Sequence, residues 1–492
     1  MVDSVASGDS PSLSPASPSK RRQISRTAAM LFPTFDYFVF LPAVAAVHWA
    51  LGSRGGRTAW LFLASLVFYA AWNPVDTALL GVIIGMSYTF GRVISSQGED
   101  RRSTTLLFAA ICLLAPLFFY KYFAFLGENL HALWPAIQAP PRHHLPIGIS
   151  FYSFQALAYV IDIRRGQPAE RNGLRFATFL LFFPHLVAGP ILRASNLLGQ
   201  LDRDRTLSRA DVGHGIARLS AGLVKKVMAA DVLRIGMVDS VFTDPGAFTG
   251  PEVMVALYAY TLQIYCDFSG YTDFAIGSAR LFGFHIPENF DRPYQALSVA
   301  NYWRRWHMTL SDWVRDYVYY PIGGSRGGGW LPYRNTMITL VILGIWHGAN
   351  WTFVVYGCLH GLAVSVNRYV RKGWTDGAPP GMFGTAWRWL LTFHFIVLAR
   401  ILFRSDSLTH AGQVATALTR VEWSLPRFSM HAWIVLAVGY GIHLTPRAWL
   451  HRARDLFAAQ SAPVQGVFLA AVAAAVVRWG AGDSLSFIYY DF

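Results

Sequence analysis

Two histidines stand where an imidazole can do chemistry. Trp346-His-Gly348 interrupts an apolar run extending from Thr336 to Val366. Imidazole titrates near neutrality, so it can take a proton from a hydroxyl and give it back. Counted from Thr336 along a helix, His347 lies roughly 16 Å in, about half the roughly 30 Å of bilayer hydrocarbon. An ionisable group at that depth marks a functional site, the plainer alternative being a neutral histidine bonded between helices. His307 closes Trp303-Arg-Arg-Trp-His307, at the edge between the apolar and charged faces of a helix. Its plainer alternative is an interfacial imidazole meeting water or lipid phosphate. Arg304 and Arg305 in the same segment, and Arg326 in the loop Pro321-Ile-Gly-Gly-Ser-Arg-Gly-Gly-Gly329, can meet phosphates of a substrate or of lipid. Asp267, Ser269, Tyr271 and Asp273 form a further polar cluster between apolar flanks, suited to joining helices or lining a wet cavity.

Other chemistries are excluded by context. Residues 323–327 formally match G-x-S-x-G, but Gly328, Gly329 and Pro332 deny the following helix that would present the serine. No Walker lysine follows the glycines, and there is no H-E-x-x-H. The adjacent His143 and His144 cannot both face one site on a regular element, so no metal is expected.

The elements that must carry these residues are membrane helices. Of 492 residues 53% are hydrophobic and only 14% charged, with 17 Trp, 22 Tyr and 35 Phe. Seventy charged side chains are too few to cover a soluble chain of this length. Apolar runs fall near 30–51, 58–73, 75–95, 104–127, 174–192, 252–284, 336–366, 386–403, 430–446 and 464–479, while 145–163 and 212–243 are marginal. The reading is an all-α integral membrane protein, a multi-span helical bundle of about 10–12 spans plus re-entrant or interfacial helices. Ala300 to Tyr317 reads as one amphipathic interfacial helix with Trp303, Trp306, Leu310, Trp313 and Tyr317 on its apolar face. The net charge of +14 sits between apolar runs, where membrane lipids explain it better than nucleic acid does. The three cysteines lie in apolar segments and are expected as free thiols. Residues 1–29, with seven Ser and three Pro in the first 19 and a basic patch after them, read as a disordered tail ahead of one domain over 30–492.

The motif series resembles the membrane-bound O-acyltransferase (MBOAT) family, in its bacterial branch of alginate O-acetyltransferases. The matching segments are Pro146-Ile-Gly-Ile-Ser-Phe-Tyr-Ser-Phe-Gln155, Phe183-Pro-His-Leu-Val-Ala-Gly-Pro-Ile191, residues 263–273, Pro287-Glu-Asn-Phe290, Trp303-Arg-Arg-Trp-His307, Trp346-His-Gly-Ala-Asn-Trp351 and Phe487-Ile-Tyr-Tyr-Asp-Phe492. The resemblance implies that His347 is the catalytic histidine, His307 the supporting polar position, and Asn350 part of the site. It implies a central funnel through which a cytoplasmic thioester donor, acetyl-CoA or an acyl carrier protein thioester, meets an acceptor on the other side, with no bound cofactor. It further implies the bacterial inner membrane, periplasmic acetyltransferase partners, and an exported polysaccharide acceptor such as alginate. Cellulose and peptidoglycan are alternatives, D-alanyl transfer to teichoic acid is less favoured, and a non-catalytic transporter or scaffold is the competing class. Members of that branch begin close to the first span, as Met30 does here, so the tail is an addition or translation starts at Met30.

Overall fold

A computed structural model describes residues 32, 34–372, 381–422 and 427–480. The expected N-terminal tail and the Phe487–Phe492 motif lie outside the described residues. Among those described there is no β-strand, and the helices begin where short polar side chains can cap them. Thr34, Ser53 and Asn73 each accept a backbone N–H in the first turns of α1 (Phe35–Ala50), α2 (Arg54–Ala70) and α3 (Pro74–Ser96). Such caps are worth about 1 kcal/mol each.

α4 (Glu99–Leu117) contains Pro116 and runs through a π turn, Phe118–Tyr122, into α5 (Phe123–Leu133). The chain continues through α6 (Ile149–Arg164), α7 (Gly173–Leu181), α8 (Phe183–Leu186), α9 (Ala194–Leu201) and α10 (Arg209–Leu223). Two π turns then carry it past α11 (Asp231–Leu233) and α12 (Asp239–Thr243) to α13 (Gly250–Leu281). Beyond α14 (Val299–Trp303) and α15 (Met308–Val314) come α16 (Leu331–His347), α17 (Trp351–Lys372), α18 (Met382–Arg404), α19 (Leu408–Leu418), α20 (Met430–Leu444), α21 (Arg447–Ala458) and α22 (Ala462–Trp479).

Two helices, α6 and α13, are buried along most of their length and form the centre of the bundle. α13 crosses α10 at glycines. A side chain on Gly222 would meet the Gly270 carbonyl at 2.9 Å, and one on Gly277 would meet that of Gly215 at the same distance. This is the small-residue contact by which membrane helices approach backbone to backbone. Around them, large apolar side chains face outward, among them Leu107, Phe108 and Ile111 on α4 and Val464 and Val467 on α22. That surface suits lipid and not water. Among the described residues, four helical segments are long and apolar enough to cross a membrane: Pro74–Ser96, Glu99–Leu133, Met382–Arg404 and Ala462–Trp479; Phe35–Ala50 and Met430–Leu444 are shorter apolar helices.

Three expected elements take a different form. The run 174–192 is broken by Pro184, Gly189 and Pro190 into α7, α8 and a buried irregular stretch, which a membrane protein tolerates only inside itself. The run 336–366 is a hairpin, α16 and α17, turning at Gly348. A Cβ on Gly344 would run into the Phe353 carbonyl oxygen, and one on Gly357 would meet that of Leu340 at 2.6 Å, so glycine is what lets the two arms touch. Residues 300–317 are not one interfacial helix. They break after Trp303, and Trp303, Trp306 and Trp313 are buried within the bundle.

Candidate active site

His347 ends α16 at the tip of the hairpin and is 1% exposed. Its Nδ1 lies 2.8 Å from the carbonyl oxygen of Leu343, one turn earlier. A carbonyl can only accept, so Nδ1 carries the hydrogen of the neutral ring and the lone pair belongs to Nε2. The ring is walled by Trp346 at 5.1 Å, Phe403 at 5.3 Å, Tyr356 at 6.2 Å and Phe353 at 6.4 Å between centroids.

His307 reaches the same place from another direction. It sits between α14 and α15 with φ of 44°, a left-handed conformation that a residue with a side chain adopts only when its surroundings impose it. The restraint is Asn289. Its backbone carbonyl accepts from Met308 N, and its Oδ1 accepts from Thr309 N at 3.2 Å, Thr309 Oγ1 at 2.9 Å and His307 Nδ1 at 3.1 Å. His307 therefore also carries its hydrogen on Nδ1. Its Nε2 is buried and has no protein partner among the described residues.

One indole joins the two imidazoles. The Trp346 ring is 5.9 Å from His307 and 5.1 Å from His347. Phe151 and Phe154, one turn apart on α6, pack on that indole at 5.9 Å and 5.8 Å, and Phe154 stacks on Trp313 at 4.0 Å. Phe268 of α13 meets His307 edge-on at 4.7 Å. The centre of the bundle thus sets the histidine pair.

The remaining expected residues are engaged elsewhere. Asn350 caps α17, accepting from Thr352 N at 3.0 Å and donating to the Asp406 carbonyl at 2.7 Å. Asp267 is paired with buried Lys226 at 2.9 Å, and that ammonium also holds Asp231 at 2.8 Å. Asp273 is paired with Arg218 and Lys225, at 2.5 Å and 2.7 Å. Both carboxylates tie α13 to the α10 segment. Arg304 and Arg326 are exposed, and half-buried Arg305 donates to Asn301 and to the Asp291 carbonyl.

Other polar groups at the site had no place in the expectation. Asn289 lay inside a quoted motif without a role. Lys121 donates to the carbonyls of Trp346 and His347. Arg400, 1% exposed, donates to Tyr302 Oη at 2.8 Å and lies over the rings of Trp306 and Phe403. Lys121 and Arg400 each interrupt an apolar run, and that anomaly is the signal that could have found them. Among the described residues no group of three His, Cys, Asp or Glu is placed to hold a metal.

A cavity of about 870 Å³ opens where α6 ends, beside α7 and α9. Arg165, Arg171, Arg175, Arg193 and Arg203 line it, against Asp162, Glu170 and Asp202. Its inner edge is tied to the His307 segment. Asp316 accepts from Arg193 and Arg315, and Tyr317 Oη donates to Asp162 at 2.7 Å. Burial alone would raise the Asp316 carboxyl, but the hydrogen bonds from Arg315 and Arg193 hold it below its ordinary value.

The site thus holds a buried imidazole with its Nδ1 on a fixed carbonyl oxygen, beside a second buried imidazole, inside a helical membrane bundle. Sequence comparison supplies the class of the protein. Residues 149–404 match the membrane-bound O-acyltransferase family. The chain belongs to the MBOAT family and is an O-acyltransferase. It is 38% identical over 396 residues to a probable alginate O-acetylase, AlgI, of Pseudomonas syringae pv. tomato, covering 79% of this chain and 75% of that protein. It is 33% identical over 427 residues to a peptidoglycan O-acetyltransferase of Helicobacter pylori, covering 80% of each chain. A teichoic acid D-alanyltransferase of Bacillus subtilis is 26% identical over 408 residues, covering 77% of this chain and 99% of that protein. Relatives named for O-acetylation thus include one named for alginate and one named for peptidoglycan.

Proposed function

We propose that this protein moves acetyl groups from a cytoplasmic thioester, acetyl-CoA or an acyl carrier protein thioester, across a bacterial inner membrane for O-acetylation of an exported, alginate-like polysaccharide. The observation that carries the reading is the hydrogen bond from His347 Nδ1 to Leu343, which leaves Nε2 as the basic nitrogen. In the reaction, Nε2 takes the proton of the acceptor hydroxyl as its oxygen forms a bond to the thioester carbonyl carbon. The tetrahedral intermediate collapses with cleavage of the C–S bond, and the imidazolium returns the proton to the departing thiolate. His307 positions the acceptor through its own Nε2.

The arginine-lined cavity supports a donor that carries phosphate, since guanidinium groups pair with phosphate oxygens. α6 runs from that cavity to the histidine pair, and Phe151 to Asp162 spans roughly 16 Å at the helical rise. The thioester end of a donor held there would reach inward along this path. We assign Arg304 and Arg326 to lipid headgroups. Periplasmic acetyltransferase partners complete the proposal on the acceptor side. Peptidoglycan is the second reading, favoured by the H. pylori relative.

The test is acetyl transfer by purified protein in nanodiscs supplied with radiolabelled acetyl-CoA and candidate acceptors. Wild type should consume thioester, and His347→Ala at equal abundance should lose at least a thousandfold in rate. An active His347→Ala variant would overturn the assignment of the base.

A further inference from the structure

Lys121 places an ammonium inside the apolar segment Glu99–Leu133, where a charge is costly unless it is given partners. Its partners are specific. Nζ lies 2.6 Å from the Trp346 carbonyl oxygen and 3.2 Å from that of His347. These are terminal carbonyls of α16, which the helix cannot satisfy itself, at the end where its dipole is negative. The same ammonium lies 5.7 Å from the centre of the Trp346 ring.

Lys121 is carried on the π turn Phe118–Tyr122, which follows Pro116. A π turn holds one residue more than an α turn and redirects the side chains it carries, and such turns recur at functional sites. Further along the same segment, Asn129 Oδ1 accepts from Trp351 Nε1 at 2.8 Å, and Phe125 packs on Trp351. The hairpin tip is therefore clasped twice. Asn129 holds the start of α17, whereas Lys121 holds the backbone of the residue that carries the imidazole.

We propose that Lys121 is a positioning residue for acyl transfer: its ammonium fixes the last two carbonyls of α16 and thereby the direction in which His347 presents Nε2. The proposal rests on the reading of His347 as the base. Lys121 touches no reacting atom and acts through the backbone of Trp346 and His347. Cutting the ammonium releases the last two carbonyls of α16, which the Asn129 clasp on Trp351 does not hold. Chemistry then slows while both substrates still bind.

The experiment compares Lys121→Met, Lys121→Ala, Lys121→Arg and Asn129→Ala in nanodiscs, with kcat, both KM values and the melting temperature measured for each. Lys121→Met, similar in length but uncharged, should lose tenfold or more in kcat with KM values within about twofold. Lys121→Ala should regain at least fivefold in kcat with added ethylamine or propylamine, and Lys121→Arg should retain more activity than Lys121→Met. Asn129→Ala should lower the melting temperature with kcat within about threefold. Two results would overturn the proposal: Lys121→Met with kcat within twofold of wild type, or a loss in the Lys121 variants that follows the melting temperature and that amines do not restore. A fully active His347→Ala control would show instead that the reading of the base had failed.

Discussion

At the scale of single residues, the site depends on where two hydrogen atoms sit. His307 and His347 each give the Nδ1 hydrogen to a fixed oxygen, one on a side chain and one on the backbone. The Asn289 oxygen serves three donors at once, so replacing it disturbs more than one bond. Asn289→Leu should destabilise the protein by about 1–3 kcal/mol, the usual result of stranding buried donors. It should also lower acetyl transfer tenfold or more by freeing the His307 ring. A melting curve together with turnover at matched abundance checks both effects. The two histidines were legible as candidates, His347 because it interrupts an apolar run and His307 because it closes the Trp303-Arg-Arg-Trp-His307 motif. The geometry of the pair was not, because Trp346 comes to lie against both rings only after α6, α13 and α16 converge.

At the scale of elements, backbone contacts between helices set the precision of the site. The α16–α17 hairpin closes because Gly344 and Gly357 leave no side chain between its arms. Gly344→Ala should cost about 1–3 kcal/mol through overpacking, seen as a lower melting temperature, with activity falling as the tip moves. Between α13 and the segment after α10, Lys226, Asp231 and Asp267 make a buried ionic knot with each member at most 2% exposed. Lys226→Met removes the ammonium that joins the two carboxylates and should destabilise by about 3–5 kcal/mol, as breaking a buried pair does. Replacing all three members with apolar residues should recover much of that loss. A reading of 336–366 as one apolar run missed the hairpin, since hydropathy sums over residues and does not register a turn made by Gly348 and capped by one side chain, Asn350.

At the scale of the whole molecule, the bundle separates a charged cavity from a buried histidine pair and joins them through α6. Under the proposed function, removing charge from the cavity should weaken donor binding without touching chemistry. Arg175→Ala or Arg203→Ala should raise KM for acetyl-CoA at least fivefold at nearly constant kcat. KM for acetyl-pantetheine, which lacks the phosphates, should stay within twofold. Initial rates with the two donors measure the difference, and an equal rise for both would argue against a phosphate site. The arginines picked out by sequence, 304, 305 and 326, do not line this cavity. Those that do are spread over 165–203, and nothing in their spacing announces a common enclosure.

The chain's own chemistry determined that it enters a membrane and that it does so as helices, and it singled out His347 and His307 as candidates. Composition and local context carry that information because the bilayer penalises charge and unpaired backbone residue by residue. Tertiary structure decided which groups meet. It turned the aspartates of residues 263–273 into ion-pair struts, set Lys121 under the hairpin tip and buried Arg400 against Tyr302. Each of those contacts joins segments far apart in sequence, and a buried charge finds its partner only once the intervening helices have packed.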